Sequence, residues 1–204
     1  MTDAPVSTWV QEALAASSAR DCTVIVQESH EVNLRWAANA LTTNGAMTQR
    51  QATVISTADV EGGVSAASVS GALATAEDLL ALVAQADEAA PGAPADDEAQ
   101  PLVAGEADAD FGDAAYLVGP EDFAALASDL GMAFARAGEA GHLLFGFAEY
   151  RRSTTWLASS AGLRRRAVEP MGRLEINAKM PDMVNSAWVG AQSNDFTDVD
   201  VAAM

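Results

Sequence analysis

The chain of 204 residues holds two histidines and one cysteine, so the residues able to ligate a transition metal or attack a carbonyl are few and can be taken one at a time. His30-Glu31 begins like the zinc-binding turn of a metallopeptidase helix, in which a second ligand returns one turn later. Positions 34 and 35 are Leu34 and Arg35, so that ligand is missing, and zinc catalysis needs three protein ligands and an open position. His30 reads as an exposed residue at a strand boundary. His142, between Gly141 and Leu143, reads as a solvent-facing or capping residue at a strand entry. Cys22 has no intrachain disulfide partner and opens an apolar run, where a small buried hydrophobe is the commoner role. Composition leaves a Ser-His-Asp arrangement open, but no nucleophile-elbow pattern is present and neither histidine has neighbours that mark it as a base. Gly138, Gly141 and Gly146 lack the spacing and the strand-to-helix setting of a phosphate loop.

The carboxylates give no firmer site. Asp108, Asp110 and Asp113 open like a calcium loop, yet the sixth position is Asp113 where glycine is required, and the twelfth is Gly119 where a bidentate glutamate should stand. Asp195, Asp198 and Asp200 could hold a hard cation weakly, and capping a helix start explains them more simply. The residues therefore assign no catalytic group, no cofactor ligand and no metal ligand to this chain, and leave open whether it belongs to an enzyme.

Charge is the stronger signal. Eleven basic residues face 29 acidic ones, a formal charge of −18, and Lys179 is the single lysine. Such a balance argues against direct nucleic-acid binding, which needs a surplus of cations to neutralise phosphates. From Arg136 to Lys179 the balance reverses locally, with eight basic residues against four acids. Arg164, Arg165 and Arg166 put charge on both faces of a strand and are the candidate contact for a partner or peptide. Protection of a strand edge against pairing with another sheet is the reading given more weight. Contact with the chain's own acidic stretch is a third.

The elements that must carry these residues follow from periodicity. A first helix runs from a Thr8–Gln11 capping box through about Ala19, with Val10, Ala13 and Leu14 on one side. Cys22 to Gln27 and Val32 to Trp36 read as two strands, Asn44-Gly45 as a hairpin turn, and Gln51 to Thr57 as a returning strand. Glu61-Gly62-Gly63 turns the chain into Val64 to Ser70. Thr75 then caps a second helix with the stripe Leu79, Leu82, Val83, Ala86. Residues Ala90 to Ala114 are Ala, Pro, Gly, Asp and Glu with few large apolar side chains, too little to offset ordering entropy, and read as a mobile linker. Gly119-Pro120-Glu121-Asp122 starts a third helix with Phe123, Leu126, Ala127, Leu130 and Phe134 inward and Gly138 as its stop. Strands follow at Leu143 to Arg152, Ser153 to Ser159, Leu163 to Val168, Arg173 to Lys179 and Ser186 to Gln192, and Asp195 to Asp198 reads as a further capped helix start. The expected architecture is α+β: two small units of antiparallel or mixed sheet with packed helices, residues 1–89 and 116–204, joined by an acidic flexible linker at 90–115. The second unit is expected to continue into a missing carboxyl-terminal domain.

Taken together, these segments resemble the TldD/PmbA family, long labelled modulators of DNA gyrase and understood as a heterodimeric zinc metallopeptidase system. Asn33-Leu34-Arg35-Trp36-Ala37-Ala38-Asn39 with Leu41-Thr42-Thr43-Asn44-Gly45 looks like the family's amino-terminal strand pair, and Gly62 to Gly71 like its following glycine-containing strand. Thr154 to Leu163 is similar to a segment ending in Asn/Ser-Ser-x-Gly. Arg173 to Lys179, Ser186-Ala187-Trp188-Val189-Gly190 and Asp195 to Asp200 resemble PmbA-like (TldE-like) members of actinobacterial type. The resemblance covers most of the chain outside the acidic stretch. It implies the amino-terminal portion of a subunit about twice this length, non-catalytic by itself, with zinc held in a TldD-type partner subunit on a His-Glu-x-x-x-His helix. It also implies a cytoplasmic protein that handles peptides or unfolded polypeptides, with no direct nucleic-acid or membrane contact. The alternative from the residues alone is a stand-alone α+β module that binds peptides or proteins through exposed strand edges.

Overall fold

The computed structural model describes residues 4–182 and 184–204. Its elements run α1 (Val6–Ala16), β1 (Asp21–Ala37), β2 (Ala40–Val60), β3 (Gly63–Ala72), α2 (Ala76–Ala89), β4 (Ala95–Asp96), α3 (Ala124–Glu139), β5 (Leu143–Ser159), β6 (Arg164–Lys179) and β7 (Ser186–Ser193), with short 3-10 turns at Ala90–Gly92 and Pro120–Phe123. The strands form one sheet in the order β4-β3-β2-β1-β5-β6-β7. β2–β3, β3–β4 and β6–β7 pair antiparallel. Side chains of β1 and β5 meet at Gln27 with Thr155 and at Ser29 with Ser153, positions whose sum is constant, so this pair is antiparallel too. The fold is α+β.

The strands are longer than local composition suggests. The two runs read as separate strands at Cys22–Gln27 and Val32–Trp36 are one strand, because Cys22, Val24, Val26, Glu28, Val32, Leu34 and Trp36 keep a single parity of burial through the polar stretch between them. β5 and β6 likewise each absorb two expected strands. The first hairpin turn lies at Ala38-Asn39, both at positive φ, and not at Asn44-Gly45, which sits inside β2. Asparagine tolerates the left-handed conformation better than most residues, and here its side chain is tied to the start of β5: Nδ2 donates to His142 O (2.8 Å) and Oδ1 accepts from Leu144 N (2.7 Å). The second hairpin follows the expectation, with Val60 opposite Gly63 across Glu61-Gly62.

Helix α1 begins at Val6 after Pro5 with no side-chain cap; Thr8 N donates to Pro5 O, so the Thr8–Gln11 box is not formed. Burial of Val6 with Trp9, Val10 and Ala13 draws the first turn upstream. In α2, Asp78 Oδ2 accepts from Thr75 N at 2.8 Å, and Leu79, Leu82, Val83 and Ala86 are its buried face as the sequence indicates. α3 passes Gly138 and ends at Glu139, with Gly141 at φ 73° and His142 N on Ala137 O. Residues 194–204 form turns where a helix was expected; Ser193 Oγ accepts from Phe196 N, which holds Phe196 at φ 60°.

Two compact units emerge, each made of discontinuous segments: 1–29, 49–115 and 153–168 in the first; 30–48, 116–152 and 169–204 in the second. The expected division at 1–89, 90–115 and 116–204 does not follow these boundaries, because each helix draws in whichever strand segments supply its apolar floor. In the first unit α1 and α2 cover Cys22, Val24, Val26, Ala52, Val54 and Trp156. In the second, α3 and the residues around Phe196 cover Val32, Leu34, Trp36, Leu144, Ala148, Tyr150, Leu174 and Ile176. Large side chains buried this completely contribute about 1.5–3 kcal/mol each. Gly146 has a packing reason: a Cβ there would collide with the Glu175 carbonyl and lie 2.7 Å from the Trp36 ring.

Candidate functional site

Arg164, Arg165 and Arg166 open β6 directly after the turn at Ser160–Gly162, in the first unit. Arg164 folds back on that turn, its Nη1 donating to Ser159 O and Leu163 O, both at 2.8 Å. The other two reach the acidic segment. Arg165 Nη1 donates to Glu106 O (2.7 Å) and Asp108 Oδ1 (3.0 Å). Arg166 donates its backbone N–H to Asp108 Oδ2 (2.9 Å), Nη1 to Asp110 Oδ2 (3.0 Å) and Nη2 to Ala114 O (2.7 Å).

The backbone joins in. Ala107 bridges Arg164 in parallel, and Asp108 N donates to Arg164 O at 2.9 Å, so the acidic segment lies along the edge of β6 as an added strand would. Phe111 follows into the core of the first unit, its carbonyl accepting from Trp156 Nε1 at 3.2 Å, while the Arg166 guanidinium stands 5.9 Å from the Trp156 ring. The stretch expected to be a free linker is thus held from 95 onward at three places: β4, the arginine pair and Phe111. Arg166 is nearly buried, whereas Arg165 is 48% exposed and its ion pair is worth little.

The remaining candidates are scattered. His30 Nδ1 lies 3.0 Å from Thr48 Oγ1, and His142 lines a small apolar hollow with Ala178, Met180 and Ala187. Cys22 is buried; burial pushes its thiol up, against hydrogen bonds from Ser17 and Ser56, and the Asp87 charge adds to the rise. Asp195 accepts from Thr197, Asp198 from Ser193 and Asp200 from Ala202 N, so these carboxylates close turns separately. Among the described residues no three His, Cys, Asp or Glu side chains come together in a way that would hold a metal ion. In the second unit the Glu31 carboxyl is raised by burial and by Glu149, with Arg151 opposing.

A different surface was missed by motif reading. The β3 partner of β2 extends only over Gln51–Val60, and every residue from Ala40 to Gln49 is exposed. Beneath this half-strand, in the second unit, lies a groove of about 400 Å³ lined by Val32, Leu34, Asn44, Ala46, Pro120, Phe123 and Ala127. The sequence signal is the absence of any charge or proline from Trp36 to Gln49.

The sequence matches no family model, and a search of curated proteins finds no match. Solved structures do match in fold. The TldE of Thermococcus kodakarensis superposes with a TM-score of 0.63 over 97% of this chain at 12% identity. The fold is that of TldE. Two proteins described as candidate modulators of DNA gyrase share it: one from Bacteroides thetaiotaomicron (TM-score 0.61, 96% of this chain, 12% identity) and one from Thermotoga maritima (0.58, 95%, 12%). The chain spans 45%, 46% and 44% of those three structures, a little under half the length of each. Among the described residues no helix is long and apolar enough to cross a membrane.

Proposed function

We propose that this chain is a TldE-like (PmbA-like) portion of a TldD/PmbA-type metallopeptidase system, non-catalytic by itself, that contributes to assembly with a TldD-like partner subunit and to handling of peptide or unfolded polypeptide substrates in the cytoplasm. The observation that carries this reading is the superposition on TldE over 97% of the chain. The motif resemblance of Asn33–Gly45, Thr154–Leu163 and Arg173–Lys179 supports it from the sequence side. Zinc in this reading belongs to the partner; here Asp108 and Asp110 pair with Arg165 and Arg166, Asp195 accepts from Thr197, and His30 meets Thr48. Of the three arginines, Arg165 is the one left exposed enough to meet a partner or peptide.

Co-expression with a TldD-like subunit tests the reading. The expected result is a complex that survives gel filtration and cleaves unstructured peptides in a chelator-sensitive way, with no such cleavage by this chain alone. Failure to co-purify, or chelator-sensitive turnover by this chain alone, overturns it.

A further inference from the structure

We infer that the outer edge of β2 over Leu41–Ala46, with the groove beneath it, is a binding site for an extended, non-acidic polypeptide segment that adds to the sheet as a strand. The inference stands on the second unit alone and is independent of the TldE-type reading.

Three features converge. First, β3 begins its pairing at Gln51, so among the described residues no strand covers β2 at 41–46; six residues present about 20 Å of backbone donors and acceptors. Second, the edge lacks the devices that keep exposed strands from pairing. It has no lysine, no other charge and no proline, and it shows Leu41 at 53% exposure. Third, the groove gives an added strand somewhere to put side chains. Asn44 and Ala46 reach it from the strand, while Val32, Leu34, Phe123 and Ala127 form an apolar floor and wall. About 400 Å³ falls within the range of ligand-sized hollows, ~300–1,000 Å³. Main-chain bonds along an edge give affinity, and pockets for alternate side chains give selectivity.

Charge selects the occupant. Pro120 lines the groove and is followed by Glu121 and Asp122, so a cation on the incoming segment is favoured there. A second copy of the chain is disfavoured, because two molecules of formal charge −18 repel each other on approach.

The test uses the 204-residue chain and a fluorescein-labelled nonapeptide of alternating Val and Thr with Arg at both ends, read by fluorescence anisotropy. Saturable binding is expected. Methylating alternate backbone nitrogens of the peptide, which keeps its side chains and removes its edge donors, should weaken binding at least tenfold. Replacing both Arg by Asp should weaken it at least fivefold. Ala127→Phe, which fills the groove, should weaken it at least fivefold while circular dichroism shows the native melt; the methylated-peptide arm uses the unmodified protein and does not depend on how that variant folds. No binding at millimolar peptide, equal binding of the methylated peptide, or a dimer in sedimentation that the peptide does not dissociate each overturns the proposal.

Discussion

The carboxylate of Asp87 is the polar centre of the first unit, and its removal gives a worked test of what holds α1, α2 and β2 together. It accepts from Ser17 Oγ at 2.9 Å, at the exit of α1; from Ser18 N at 2.7 Å; and from Ser56 Oγ of β2 at 2.6 Å. Ser56 is fully buried, so without Asp87 its hydroxyl has, among the described residues, only the Cys22 sulfur, 4.0 Å away. A hydrogen bond to a charged acceptor contributes about 1.5–3 kcal/mol when its donor cannot turn to water. The Ser17 bond, half-buried, adds about 1 kcal/mol, and the Ser18 contacts are exposed and exchange for water at little cost. Asp87→Ala should therefore lose about 3 kcal/mol, or roughly 6–12 °C in Tm for a chain of this length. Asp87→Asn keeps an acceptor and should lose about half as much.

The pH dependence separates charge from shape. Burial raises the Asp87 carboxyl, but the bonds from Ser56, Ser18 and Ser17 outweigh it and hold it below the ordinary carboxylate value. A group whose folded pKa is depressed contributes stability that is fully present above its unfolded pKa, about 3.9, and is lost as pH falls through the folded value. Urea unfolding of the wild type and Asp87→Asn should thus show a full gap at pH 6–7 that closes in strong acid. A Tm change below about 2 °C for Asp87→Ala, or a gap that does not shrink in acid, refutes the argument.

Asn39→Ala should lose about 2–3 kcal/mol in chemical denaturation, from two side-chain bonds to residues 142 and 144 and the left-handed backbone that alanine resists; Asn39→Gly should recover about 1 kcal/mol of it. Arg166→Met should free the acidic segment: amide exchange over residues 107–114 should quicken at least fivefold by mass spectrometry while the core of α2 is unchanged. Because burial raises its thiol pKa, Cys22 should react with Ellman's reagent at pH 8 at least tenfold more slowly in the native chain than in urea.

Much of this fold can be read from residue pattern where one face of one element decides it. The α2 stripe is such a case, since Leu79, Leu82, Val83 and Ala86 are spaced for one buried side and a Thr75–Asp78 start precedes them. Long-range geometry decides the rest. Asn44-Gly45 has better turn chemistry than Ala38-Asn39, yet the turn forms where Asn39 can bond to residues 142 and 144, about a hundred positions away. The polar stretch Glu28–Glu31 reads as a break between strands and is not one, because Arg50 satisfies Glu28 and Ser153 meets Ser29. Composition marked residues 90–115 as unable to order themselves, which is sound for the segment alone; Arg165, Arg166 and Trp156 supply the missing partners. Contact of the arginines with the acidic stretch was among the readings available from charge. The groove under β2 had no periodic signature, because its walls come from three separate segments.

The discontinuous make-up of the two units sets the order of events during synthesis. Unit one cannot close until Val168 has left the ribosome, since Thr155 must return to Gln27 across 128 residues. Unit two waits longer still, for β7. A chain so wired has high contact order, which slows folding, and keeps the β5-facing side of β1 unmatched until residues 143–159 are made. Cutting it at the acidic stretch separates segments that belong to the same unit, so the two pieces do not correspond to two independent folds.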